Sequence, residues 1–362
     1  MTVYNFYIDS SAGTGGDGTS GDPWGSIQEA IDNATVTGTY SVGIFNCKGS
    51  ETWSSELDFS SWGGASGMML RGYDSTAGDG GKYEIDIDGN AWPSSQTSYW
   101  VWCDLDITNS GSDSGFYNYG GVTAIYWNNC KFSDWNVGSG NAVLAPGDYS
   151  ARIVNCEFSD IDGIAVGKCA VTVDSCFFSN SGTRELETAC QSQYCINSVF
   201  SLSGASNGWV QERSTYCAHN SFFSSGGSGI GAYAEKGQNE IHSNVFAGFS
   251  GTGGVGLRLK NYAYDIKPAT FLNSAYNCTT NFDLLRPGMH LLVEDNETLT
   301  GSPFAQSGSA TDYSNRHTYF APQDVGNVIG GGVGGNSRGA IQLTSGGGST
   351  TVVTPGPVQI GM

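Results

Sequence analysis

Twelve positions after three aromatic residues, Phe200, Phe223 and Phe246, stand Glu212, Glu235 and Arg258. If those positions recur on neighbouring strands, two carboxylates face each other and an arginine closes the row. A like-charge pair raises the pKa of one member, which is the condition for acid and base work by two carboxylates. Tyr233 and Lys260 fall close by, as does His242 among the four histidines. The plainer reading is a surface ladder in which Glu235 over Arg258 is a cross-strand ion pair. A strand spacing of about 4.8 Å is also short for a retaining pair of glycosidase carboxylates and too short for an inverting one. The ladder reading is preferred. A second group, Trp92, Tyr99, Trp100 and Trp102 in "AWPSSQTSYWVWCDLD" (91–106), offers flat faces for sugar rings, and Trp92 and Trp100 join Tyr233 and Lys260 as candidate glycan contacts. The same aromatic cluster also suits a core.

The ten cysteines invite metal or redox chemistry, yet none forms a Cys-x-x-Cys pair, and the closest two, Cys190 and Cys195, lack metal spacing and a nearby His. Cys103, Cys130, Cys156 and Cys176 occupy one column that continues as Ser198 and Ser221. Serine can neither bridge nor replace a thiolate, so a small buried space-filler explains the column. No metal ligand is assigned. Calcium is the one ion for which acidic loop spacing exists, at "GGDGTSGD" (15–22) and "EIDIDGN" (84–90). Neither follows the full calcium-loop spacing, and the second alternates like a strand with carboxylates on one face.

The column belongs to a repeat. Segments such as "YWNNCKFSDWN" (126–136), "IVNCEFSDIDG" (153–163) and "VDSCFFSNSG" (173–182) align on Phe132, Phe158, Phe178, Phe200, Phe223 and Phe246, at spacings of 26, 20, 22, 23 and 23. Three positions before each aromatic stand Asn129, Asn155, Ser175, Asn197, Asn220 and Ser243, and immediately after come Ser133, Ser159, Ser179, Ser201, Ser224 and Ala247. A period in the low twenties, rich in glycine and β-formers, predicts a solenoid. Stacked coils put like on like, and Asn tolerates the left-handed backbone of a tight corner. A coil of this length holds three short strands and three turns.

These columns resemble the right-handed parallel β-helix of the pectate-lyase-like superfamily, in which N-C-x-F-S-[DN] is a frequent coil signature; the resemblance spans roughly residues 100–280. The opening "GDGTSGDPWGSIQEAI" is similar to the superfamily's entry. It predicts a capping helix with Asp22 or Ser26 at its start and Ile27, Ala30, Ile31 and Ala34 on one face. The expected organisation is an N-terminal strand, loop and capping helix (1–40), a parallel β-helix (41–285), an irregular C-terminal capping region (286–342), and a Gly/Ser linker with an extended arm (343–362). The resemblance implies that any active site lies on an outer face across coils. Lyases of the superfamily use a basic residue with calcium or another cation, and its hydrolases use several carboxylates.

Composition narrows the partners. A formal net charge of −19 over 362 residues repels phosphate backbones, so no nucleic acid is expected. No apolar run approaches the length of a membrane span. The start "MTVYNFYIDSSAG" lacks a basic, apolar leader, and with unpaired thiols this predicts intracellular assembly. Together with the resemblance, the expectation is a non-enzymatic structural or adhesion component of a virion, such as a phage decoration, fibre or tailspike-like protein. A homo-oligomer is expected, trimeric in some relatives of this shape, with the C-terminal arm attaching it to virion proteins or its own subunits. A polysaccharide lyase or glycoside hydrolase is the alternative function, and a secreted or cell-surface module the alternative location.

Overall fold

In the computed structural model the described residues are 2–38, 40–59, 62, 67–90, 99–111, 116–117, 124–179, 184–188, 194–211, 215–234, 239–260, 269–285, 292–304, 323, 325 and 339. They form an all-β parallel solenoid with a single short helix among them. The chain divides into two compact units, 1–171 and 172–362.

The first unit begins with β1 (Thr2–Asp9), followed by α1 (Ile27–Asn33), β2 (Ser41–Lys48), β3 (Ser50–Thr52), β4 (Gly67–Gly72), β5 (Tyr83–Asp86), β6 (Tyr99–Cys103) and β7 (Leu105–Asn109). One parallel ladder runs β1–β2–β4–β6 and on to strands Ala124–Asn128 and Lys131–Val154. Its register aligns Phe6, Phe45, Leu70, Trp102, Trp127 and Ile153 in one column. The Trp102 and Trp127 rings stack 4.9 Å apart, the spacing of adjacent strands, and both are buried. A second ladder, β3–β5–β7 and the start of Lys131–Val154, buries Ile85, Ile107 and Phe132. Between ladders the backbone turns through left-handed residues of the types that tolerate it: Asp104, Asn129 and Asn155 at one corner, Asp134 and Asp160 at the next, all with φ of 52–57°.

The helix is shorter than its sequence pattern. Ser26, not Asp22, caps it, accepting the Glu29 N–H at 3.1 Å, and Ile27, Ala30 and Ile31 are buried while Ala34 is already past the end. Glu29 folds back to accept the Gly15 and Gly25 amides, which ties the preceding glycine-rich loop to the helix.

In the second unit three parallel ladders recur. Strands Tyr194–Ile196, Thr215–Ala218, Asn239–His242, Ala269–Phe271 and Leu292–Glu294 pair in succession. So do Phe177–Ser179, Val199–Leu202, Ser221–Ser224, Val245–Ala247, Ser274–Tyr276 and Glu297–Thr298. The third set is Arg184–Thr188, Asn207–Gln211, Ile230–Ala234, Val255–Lys260 and Thr280–Leu285. The aromatic column here is Phe178, Phe200, Phe222 and Phe246, with successive rings 4.6–4.9 Å apart.

That register corrects the sequence alignment at one coil. Phe222, not Phe223, stands between Phe200 and Phe246, and Phe223 pairs with Ser201 and Ala247. In the sequence "SFF" either phenylalanine satisfies the pattern, but a one-residue slip reverses the faces of a strand. Phe222 fills the interior, and Phe223 packs outward against Phe304 at 6.2 Å. Accordingly His219 takes the left-handed corner, φ 55°, and Asn220 moves into the column of cysteines and serines.

Of the C-terminal region, Leu299, Phe304 and Val325 pack with Phe177, Val199, Val245 and Ala247 on the outward side of the second ladder, and the Gly339 amide donates to the Ser243 carbonyl at 2.8 Å. The arm, 343–362, lies outside the described residues.

Candidate functional site

Alternation along β5 and β7 buries Ile85, Leu105 and Ile107, and turns Glu84, Asp86, Asp106 and Thr108 outward. The register then sets Ser50, Glu84, Asp106 and Lys131 on one outer row, and Thr52, Asp86, Thr108 and Ser133 on the next. These rows line an open cleft of about 450 Å³ in the first unit. It is lined by hydroxyls and carboxylates set at the spacing of the strands, and by one ammonium.

The charges within it are held in place. Asp86 accepts from the Ser110 amide at 2.9 Å, the Ser110 hydroxyl at 2.6 Å and the Asp88 amide at 3.0 Å. Burial opposes its charge, and these bonds outweigh the burial, leaving the carboxyl below its ordinary value. Asp106 lies 3.7 Å from the Lys82 ammonium, and Lys131 lies 3.9 Å from Glu157. Glu51 also borders the cleft, but its oxygens serve the interior, accepting from the Ile27 amide at 3.0 Å, the Trp53 indole at 2.7 Å and the Tyr83 hydroxyl at 2.9 Å. Burial raises its pKa despite those donors. Its position is that of a structural clamp on the start of α1. The carboxylates that face the cleft are Glu84, Asp86 and Asp106.

The residues singled out in the sequence are distributed differently. Arg258 has Tyr233 and Asp283 as its register partners, not Glu235, and pairs with Asp283 at 2.7 Å. Tyr233 is half-buried beside it. Lys260 is the end of the same strand, in register with Leu285. Glu212, Glu235 and Trp92 lie outside the described residues. Trp100 is a core residue, 3% exposed, stacked on Trp102 at 5.4 Å and packed edge-on against Phe59 at 5.0 Å, so it offers no face to a glycan. In the loop 15–22, Asp17 accepts the Thr19 amide at 2.9 Å, and among the described residues no three His, Cys, Asp or Glu side chains converge as a metal site. Likewise no described helix is long and apolar enough to cross a membrane.

In the second unit His242 joins a different group from the one its spacing suggested. Tyr194, Tyr216 and Glu240 share one outward row, and the Tyr216 hydroxyl meets His242 Nε2 at 2.9 Å, with Ser243 Oγ 3.1 Å from Nδ1. Burial, followed by the neighbouring charge of His219, pulls His242 down to about 4.

Fold and cleft together place this chain in the class of all-β parallel solenoids with a polar outer surface site. No family model matches it, and no curated protein matches it.

Proposed function

We propose that the chain is a structural and adhesive β-solenoid, a virion surface component that holds a neutral glycan along the Ser50–Ser133 cleft without cleaving it. The cleft carries this reading: hydroxyls of Ser50, Thr52, Thr108 and Ser133 share two neighbouring rows with Glu84, Asp86, Asp106 and Lys131. A polyhydroxylated chain needs such donors and acceptors in repeated rows, and three carboxylates against one ammonium disfavour an acidic one. The virion assignment is supported by the resemblance of the coil signature N-C-x-F-S-[DN] to that of parallel β-helix proteins. The arm at 343–362 is the proposed attachment to virion proteins or sister subunits.

In finer detail, each coil is a right-handed turn of three short strands and α1 is the cap of the first. The three recurrent ladders of the second unit and the burial of Ile27, Ala30 and Ile31 support this. Incubation with a panel of neutral and acidic polysaccharides, with and without calcium, tests the function. Co-sedimentation with a neutral polymer and no unsaturated or reducing-end product is expected. Product formation lost in Glu212→Gln or Arg258→Ala replaces this reading with the lyase or hydrolase one. Mass spectrometry of purified particles tests the location, and absence of the chain from them removes it from the virion.

A further inference from the structure

The two edges of β1 differ. Toward β2 it pairs in register from Thr2↔Ser41 to Asp9↔Lys48, and the Thr2 amide donates to the Tyr40 carbonyl at 3.2 Å. Residues along a strand present their N–H and C=O to alternate sides. The even-numbered residues therefore face β2, and the odd-numbered ones face away. The far end of that outer edge is occupied: the Tyr7 amide donates to the Gly18 carbonyl at 2.9 Å, the Tyr7 carbonyl accepts from the Trp24 amide at 3.0 Å, and the Asp9 amide donates to the Trp24 carbonyl at 2.9 Å. The near end is open among the described residues. Val3 and Asn5 each turn one N–H and one C=O outward, with no described backbone partner. Val3 is 44% exposed, and Thr2 and Asn5 are exposed as well. From Thr2 to Ile8 there is no charge and no proline, two of the usual devices that blunt a strand edge.

We propose that this edge pairs two copies of the chain, antiparallel, about a twofold axis at Tyr4. In that register Val3 stands opposite Asn5 of the partner subunit, exchanging both N–H···O=C bonds, and the axis repeats the exchange. Every outward group of Val3 and Asn5 on both copies is then satisfied, and the two Tyr4 form the non-hydrogen-bonded pair between. The partner is a second copy because the open groups are self-complementary about one residue. In addition, a chain of net charge −19 can approach its like most easily along an uncharged stretch. The inference is independent of the glycan reading.

Sedimentation velocity across a wide concentration range tests it, with two variants. Asn5→Pro removes one outward N–H and leaves every bond from β1 to β2 in place. Val3→Lys brings two ammonium groups together near the axis. A dimer is expected for the unaltered chain, with self-association weakened at least about tenfold in each variant while circular dichroism and melting are unchanged. If Asn5→Pro does not fold, Val3→Lys decides alone. A monomer at all concentrations, a trimer, or a dimer that survives in the folded variants overturns the proposal.

Discussion

The interior corner of the second unit shows how single residues are chosen. Asn220, Asn244, Asn273 and Asn296 form a ladder in which each Nδ2 donates to the next Oδ1 at 2.8–3.1 Å. The same oxygens accept the preceding rung's amide: Asn244 Oδ1 from Asn220 N–H at 2.9 Å, and Asn273 Oδ1 from Asn244 N–H at 3.1 Å. The second amide proton of Asn244 meets the Cys217 carbonyl at 2.9 Å. Asn244→Ala leaves several fully buried groups unpaired, and a loss of about 3 kcal/mol is expected in urea unfolding. Earlier in the column a small group suffices. Ser198 Oγ donates to the carbonyl two residues back at 2.9 Å, as the Cys176 thiol does at 3.4 Å, so Cys176→Ser should change stability by no more than about 1 kcal/mol in the same assay. Thiol chemistry has no purchase there, since burial pushes Cys130 well above its ordinary value. His242 gives a pH dependence with a definite sign. Its folded pKa of about 4 lies below the ordinary 6.5, so the unfolded chain binds the proton more readily. Its contribution is whole above 6.5 and is lost as pH falls from 6.5 toward 4, by up to about 3 kcal/mol. Denaturation midpoints of the parent should fall across that window, and those of His242→Gln should fall less.

At the scale of elements, what was legible in the sequence was whatever repeats. The Asn, Ser and Asp corners were visible because short polar residues recur where φ is near 55°, and the inward aromatics because rings stack on rings. The slip at Phe222 and Phe223 was not visible: both are aromatic, and only the register separates them, with Phe222 stacked between Phe200 and Phe246 and Phe223 against Phe304. The start of α1 was legible in "GSIQE", where Ser26 caps the Glu29 amide, but its anchor was not. Glu51, on another strand, takes the Ile27 amide, the Trp53 indole and the Tyr83 hydroxyl at once. Removing it by Glu51→Ala should cost about 2 kcal/mol, with hydrogen exchange at Ile27–Asn33 accelerating more than in the second unit. Uniform loss of protection would show that α1 has no separate dependence on this clamp. The cleft escaped sequence reading for a similar reason. Glu84, Asp106 and Lys131 come from coils of unequal length, so no fixed spacing links them before the register is known.

For the whole molecule, the ladders bury apolar columns inside and turn most of their polar residues outward. Arg258, a candidate catalytic group by spacing, is paired with Asp283 on its outer row, whereas Glu84, Asp86, Asp106 and Lys131 line an open cleft. The most direct test is calorimetric titration of a neutral oligosaccharide series against the intact chain and against Glu84→Gln and Asp106→Asn. Saturable binding that strengthens with oligosaccharide length, weakened about fivefold or more by either substitution with the sugar recovered uncut, is the predicted result. Binding of equal strength in all three proteins, no binding at any length, or recovery of shortened sugar would contradict it.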